Sequence, residues 1–148
     1  MRMAIVQEGD GRSRKVSRCH LEPTPSALTL VREFIKTTLE PFKPIKPHIP
    51  DIVFATHEAA KNAVMHNPDC DTPVEVVCRV LEDSVVVEVN DRGNGFESVN
   101  FPPPPPDLEA VAGRGIFIIC SLMDEVEARS GEDGTRITML KRFAPNPA

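Results

Sequence analysis

Two hydrophobic periods alternate along this chain. Leu28, Val31, Ile35 and Leu39 recur every three or four residues, and Leu30 and Phe34 widen the stripe, which predicts an amphipathic helix. Thr24-Pro25 is read as its start, with Thr as the cap and Pro at the first helical position. Pro41 and Pro44 end it, and residues 41–50, with four prolines, form a stiff connection. A second helix opens at Pro50-Asp51, with an acid in the first turn where the helix dipole favours one, and closes at Asn67-Pro68. Its apolar side carries Ile52, Val53, Ala59, Ala60, Ala63 and Val64. The period then shortens to two. Residues 73–81 and 84–90 are valine-rich strands turned into a hairpin by Glu82-Asp83, and Asp91 stands at the end of the second. Ile116 to Met123 is a strongly apolar helix. Glu125–Ser130 and Thr135–Arg142 make a closing hairpin around a glycine-bearing turn. Residues 13–21 read as a polar first strand, 1–11 as a loose lead-in and 143–148 as a frayed tail.

The order is therefore β, α, α, β, β, loop, α, β, β. Strands that follow one another without a helix between them are antiparallel neighbours, which argues against a doubly wound parallel sheet. The expected fold is α+β: a two-layer α/β sandwich with a mixed, mostly antiparallel sheet and three helices on one face. Residues 12–142 form one domain. Within it, residues 96–112 include an unbroken row from Pro102 to Pro106, which can be neither helix nor paired central strand. A loop this long in a small domain is usually functional, and a stiff segment bordering a lid is a plainer account of the prolines than a ligand for an SH3-type module.

The 148 residues suit a single domain, and a 41% hydrophobic content suits a folded one. A net charge of −5 argues against sequence-independent binding of nucleic acid, which calls for a basic face. No apolar run reaches the roughly 20 residues that span a bilayer, and the first residues do not read as a secretory signal. Cys19, Cys70, Cys78 and Cys120 are scattered, without a Cys-x-x-Cys pair, as expected of reduced thiols in a cytoplasmic protein.

Candidate chemistry sits in four places. Glu58, Asn62 and His66 recur every four residues and so share one helix face, offering a base, a metal-ligating carbonyl oxygen and a further hydrogen-bonding group. Asp91-Arg92-Gly93-Asn94-Gly95 sets a carboxylate at a strand end beside two glycines; the carboxylate can accept from an exocyclic amine such as that of adenine, and Gly93 and Gly95 let backbone approach a flat ring. Gly113-Arg114-Gly115 opens a helix, where free N–H groups suit phosphate and Arg114 adds a charged fork. Gly134-Thr135 precedes the last strand. Each has a plain reading taken alone: a solvated helix acid, an Asn capping nearby backbone, a structural histidine, a turn, a glycine-rich start to a helix. Other motifs fail. His57-Glu58-x-x-Lys61 lacks the second histidine of a zinc protease, there is no Gly-x-x-x-x-Gly-Lys-Ser/Thr loop, and neither Gly-x-Gly has the third glycine of a dinucleotide fingerprint.

In this order the four boxes resemble the GHKL ATPase superfamily over residues 24–142, and within it the bacterial anti-sigma-factor serine/threonine kinases. The resemblance implies ATP and Mg²⁺ as cofactors. It places a catalytic base at Glu58, a magnesium ligand at Asn62, a further contact at His66, adenine recognition at Asp91 with Gly93 and Gly95, phosphate contacts at Gly113, Arg114, Gly115 and Ile116, and a residue near adenine at Thr135. It implies transfer of the γ-phosphoryl group to a Ser or Thr of a STAS-type anti-anti-sigma protein, sequestration of a sigma factor, and a homodimer. A sensor histidine kinase is disfavoured, because no helix pair with an acceptor histidine precedes the ATP-binding part. The lid at 96–112 departs from the pattern by holding no Lys or Arg. That departure keeps a second expectation open, a nucleotide-holding partner switch that transfers nothing.

Overall fold

A computed structural model describes residues 6–8, 15–65, 73–91, 114–131 and 134–143. The elements run β1 (Val6–Glu8), β2 (Lys15–Leu21), α1 (Ala27–Leu39), a 3₁₀ segment (Lys43–His48), α2 (Ile49–Met65), β3 (Val74–Val80), β4 (Ser84–Asp91), α3 (Arg114–Leu122), β5 (Glu125–Gly131) and β6 (Gly134–Arg142). The strands form one six-stranded sheet in the order β1-β2-β3-β4-β6-β5. Every described pairing is antiparallel. The two-layer α+β sandwich read from the sequence is the fold observed.

Alternation along the strands builds the core. Cys19 and Leu21 of β2, Val74, Val76, Cys78 and Val80 of β3, Val85, Val87 and Val89 of β4, and Ile137 and Met139 of β6 are buried beneath the helices. These positions are two residues apart within each strand, so they share a face. From the other layer come Val31, Phe34, Ile35 and Leu39 of α1, Ile52, Ala55, Ala59 and Ala63 of α2, and Ile119 of α3. Small residues dominate the buried side of α2. They let it lie low over β3, β4 and β6 while α1 and α3 flank it. The central helix is therefore the one that carries Glu58 and Asn62.

Three local features differ from the sequence reading. The lead-in over residues 1–11 contains a strand: Val6–Glu8 pairs with β2 in the register Val6↔Arg18 to Glu8↔Val16. Three residues are too short to show a period, and what makes them a strand is the free edge of β2. Thr24 does not cap α1; its hydroxyl lies 3.1 Å from that of Ser26, and a backbone turn from Thr24 C=O to Ala27 N–H leads into the helix. The proline-rich connection winds into 3₁₀ turns with Ile45 buried, since proline supplies the required φ and these short turns ask for few N–H donors.

The opposite face of the sheet carries a polar row. His20, Glu75, Asn90 and Arg136 lie opposite one another across four adjacent strands. Glu75 accepts from His20 Nε2 at 3.0 Å and from Asn90 Nδ2 at 3.1 Å, and the Arg136 Nε–H donates to Asn90 Oδ1 at 2.9 Å. Arg18 adds a second cation 3.5 Å from Glu75.

Candidate nucleotide site

The α2 spacing holds: Glu58 and Asn62 are one turn apart, both half-buried, on the side of α2 that faces α3. Ala55, Ala59 and Ala63 anchor the same helix to the sheet, so the stripe has a fixed direction. His66 lies outside the described residues.

The start of α3 meets this stripe. Gly115 lies directly against the two side chains: a β-carbon placed on it would stand 3.2 Å from Asn62 Nδ2, 3.3 Å from Asn62 Oδ1 and 3.3 Å from Glu58 Oε2. Chain segments some fifty residues apart in sequence thus bring a carboxylate, a carboxamide and the first turn of a helix to one place. Ile116, the next residue, is buried, which seats the helix against the core. Gly113 and the side chain of Arg114 lie outside what is described, although the backbone of Arg114 begins α3.

The third and fourth boxes meet across the sheet. Asp91 ends β4 and pairs directly with Thr135, the second residue of β6. Both are buried, at 8% and 4% exposure, and both follow the alternation that puts Val89 and Ile137 under the helices. The β5–β6 hairpin delivers Thr135 there. Gly131 pairs with Gly134, and Gly134 has φ 121°, a backbone state that side chains rarely adopt. Gly93, Gly95 and the lid at 96–112 lie outside the described residues.

Two groups on the elements that frame the site carry altered electrostatics or polar bonding that sequence patterns did not reveal. His57 precedes Glu58 and turns toward α1. Burial, then the charges of Arg32 and Lys61, depress its pKa below the usual 6.5 against an opposing pull from Glu58. Its Nδ1 is buried without a hydrogen-bond partner. Lys141 of β6 donates from Nζ to the Leu122 carbonyl at the end of α3 (2.6 Å) and lies 3.6 Å from Asp51 in the first turn of α2. It ties α2 and α3 to the last strand. No period or motif marks it, because its partners are distant in sequence.

Among the described residues there is no cluster of three or more His, Cys, Asp or Glu side chains able to hold a metal. The oxygens of Glu58 and Asn62 nevertheless suit a hard cation of the magnesium type, which takes one or two protein oxygens and completes its shell with water and phosphate. No helix of the described residues is long and apolar enough to cross a membrane.

In this sandwich the central helix presents Glu58 and Asn62 to the start of the following helix, with a buried Asp91–Thr135 pair at the neighbouring strand ends. The histidine kinase-like ATPase domain model matches residues 21–141. An anti-sigma F factor of Clostridium acetobutylicum is 35% identical over 68% of this chain and 75% of its own length. A serine-protein kinase RsbW of Staphylococcus aureus is 33% identical over 63% of this chain and 65% of its own. The solved RsbU and RsbW domains of a Mycobacterium tuberculosis protein share the fold, with a TM-score of 0.67 and 24% identity over 86% of this chain, which spans 32% of that one. The chain belongs to the histidine kinase-like ATPase family, among the anti-sigma-factor serine/threonine kinases.

Proposed function

We propose that this protein is an ATP-dependent serine/threonine kinase that phosphorylates a STAS-type anti-anti-sigma protein and, in its other state, holds a sigma factor. The observation that carries the reading is the meeting of Glu58, Asn62 and Gly115 at one place. The kinship with an anti-sigma F factor and a serine-protein kinase supports the partner class. One unit over residues 12–142 would do the work, in the cytoplasm where such partners reside, as a monomer or a homodimer.

In the reaction, the acceptor hydroxyl oxygen forms a bond to the γ-phosphorus while the bond from that phosphorus to the β–γ bridging oxygen breaks and ADP leaves. Glu58 takes the hydroxyl proton. Asp91 accepts from the adenine amine, and Thr135 opposite it lines the same end of the pocket. Gly93 and Gly95 admit the ring, while Gly113, Arg114, Gly115, Ile116 and His66 lie along the phosphates. Asn62 would hold Mg²⁺ through its amide oxygen. When bound, that ion neutralises phosphate charge.

Incubation with Mg²⁺, γ-labelled ATP and the STAS-domain proteins of the source genome tests the proposal. Label should appear on a Ser or Thr of one of them, and Glu58→Gln should abolish transfer while ATP still binds. ATP binding by the wild-type protein with no transfer to any STAS protein would replace the kinase by the partner switch.

A further inference from the structure

Gly115 occupies the second position of α3 and has ordinary helical backbone; Gly134 is the only described glycine with positive φ. Alanine would therefore fit the backbone and favour the helix. What glycine supplies here is space. An added β-carbon would stand 3.2–3.3 Å from both polar atoms of the Asn62 amide and from Glu58 Oε2. That is closer than ordinary van der Waals contact, and all three are terminal atoms of side chains, which can give by a few tenths of an ångström. Buried neighbours hold α2 and α3 in place: Ala59 and Ala63 on one, Ile116 and Ile119 on the other. The side chains, not the helices, would have to give.

We infer that Gly115 is a positioning residue, the flat seat that sets the orientation of the Glu58 carboxylate and the Asn62 amide together. This rests on the roles given above to Glu58 and Asn62, and adds that the two are oriented by one surface. Because that one surface is the first turn of α3, it sets base and metal ligand together. The β-carbon of any other residue would turn both side chains by a few tenths of an ångström. Reactive groups misplaced by an ångström lose about a hundredfold, so a shift of this size should cost about threefold to tenfold.

The test uses the full chain with ATP and Mg²⁺ as probes. In the wild-type protein, a nuclear Overhauser contact should join the Asn62 side-chain amide protons to the Gly115 α-protons. Calorimetry with and without Mg²⁺ gives the gain in ATP affinity that the metal provides. Gly115→Ala should cut that gain about threefold to tenfold, displace the Asn62 side-chain amide resonance, and leave the melting temperature equal or higher. Phosphoryl transfer should show less-than-multiplicative losses when Gly115→Ala is combined with Glu58→Asp, whose shorter side chain withdraws from the added carbon. Absence of the wild-type contact overturns the inference. So does a Gly115→Ala protein with an unmoved Asn62 resonance and an undiminished magnesium gain. If instead Asn62→Ala keeps the full gain, or the wild-type protein shows none, the metal role of Asn62 fails and the inference falls with it.

Discussion

Asp91 and Thr135 stand directly opposite each other where β4 ends and β6 begins, both buried beneath the helix layer. On that face of the two strands Val85, Val87, Val89, Ile137 and Met139 are apolar core. A buried carboxylate at the rim of a core is costly unless it meets donors. The strand alternation that builds the core thus also carries a polar pair to the strand ends, where Asp91, on the reading proposed above, would accept from the exocyclic amine of a base.

If Asp91 reads adenine, removing its charge should strike adenine nucleotides selectively. Asp91→Asn should weaken ATP by about tenfold to a hundredfold, the usual worth of a hydrogen bond to a charged group. Thr135→Val, which keeps shape and loses a hydroxyl, should cost less, about threefold to tenfold. Calorimetric titration of each variant with ATP and GTP checks this. Equal proportional losses for the two nucleotides would remove Asp91 from base recognition.

The polar row on the opposite face makes stability depend on acid. Burial alone would raise the Glu75 carboxyl, but the Asn90 amide bond and the charges of His20 and Arg18 outweigh it and hold the group below its usual 4.5. A carboxyl depressed in the folded state adds stability that is present above its unfolded pKa and is lost as pH falls through the lower folded value. Urea unfolding of the wild-type protein should therefore weaken below about pH 4.5. Glu75→Gln should be less stable at pH 7, by about 0.5–2 kcal/mol, and should converge with wild type at the acid end.

How much of this was legible beforehand follows from what a one-dimensional pattern can encode. The valine alternation in β3 and β4 and the four-residue spacing of Glu58 and Asn62 are local, so elements, faces and the stripe could be read directly. Asp91 at a strand end was equally visible, because the period stops there. The strand Val6–Glu8 was not, since three residues have no period and only the edge of β2 makes them a strand. The start of α3 at Arg114 falls within Gly113-Arg114-Gly115, the box read as opening a helix. The contact of Gly115 with Glu58 and Asn62, the tie of Lys141 to α2 and α3, and the orphaned nitrogen of His57 are tertiary facts. No spacing along the chain could announce them.

His57 should set a second, milder pH dependence. Its folded pKa lies below 6.5 because burial and the nearby Arg32 and Lys61 disfavour a further positive charge. Protons then bind the unfolded chain more readily, so stability falls as pH drops below about 6.5 and is fully present above it. This window lies above that of Glu75, so the two can be separated. In His57→Gln the slope between pH 7 and pH 5.5 should flatten while the steeper acid loss remains. An unchanged slope in the variant would assign the dependence to another group.

The last strand is fastened to two helices by one amine. Lys141 has only 15% of its side chain exposed, and its Nζ donates to the final turn of α3 at Leu122 while pairing with Asp51 in the first turn of α2. Both contacts suit the helix dipoles: a cation at a C-terminus, and an acid at an N-terminus. The Leu122 bond is the stronger, being short and charge-assisted. The Asp51 pair is longer and nearly half of the Asp51 side chain is exposed, so solvent screens it. Lys141→Met keeps the buried stem and removes only the amine, so it should lower unfolding free energy by about 1–2 kcal/mol. Asp51→Asn should lower it by less than about 1 kcal/mol. Because α3 carries Gly115, loosening its far end should also raise hydrogen exchange along Ile116–Leu122 before the sheet is affected. Denaturant midpoints and exchange rates of the two variants decide the matter: equal losses from both would shift the weight from the α3 carbonyl to the ion pair.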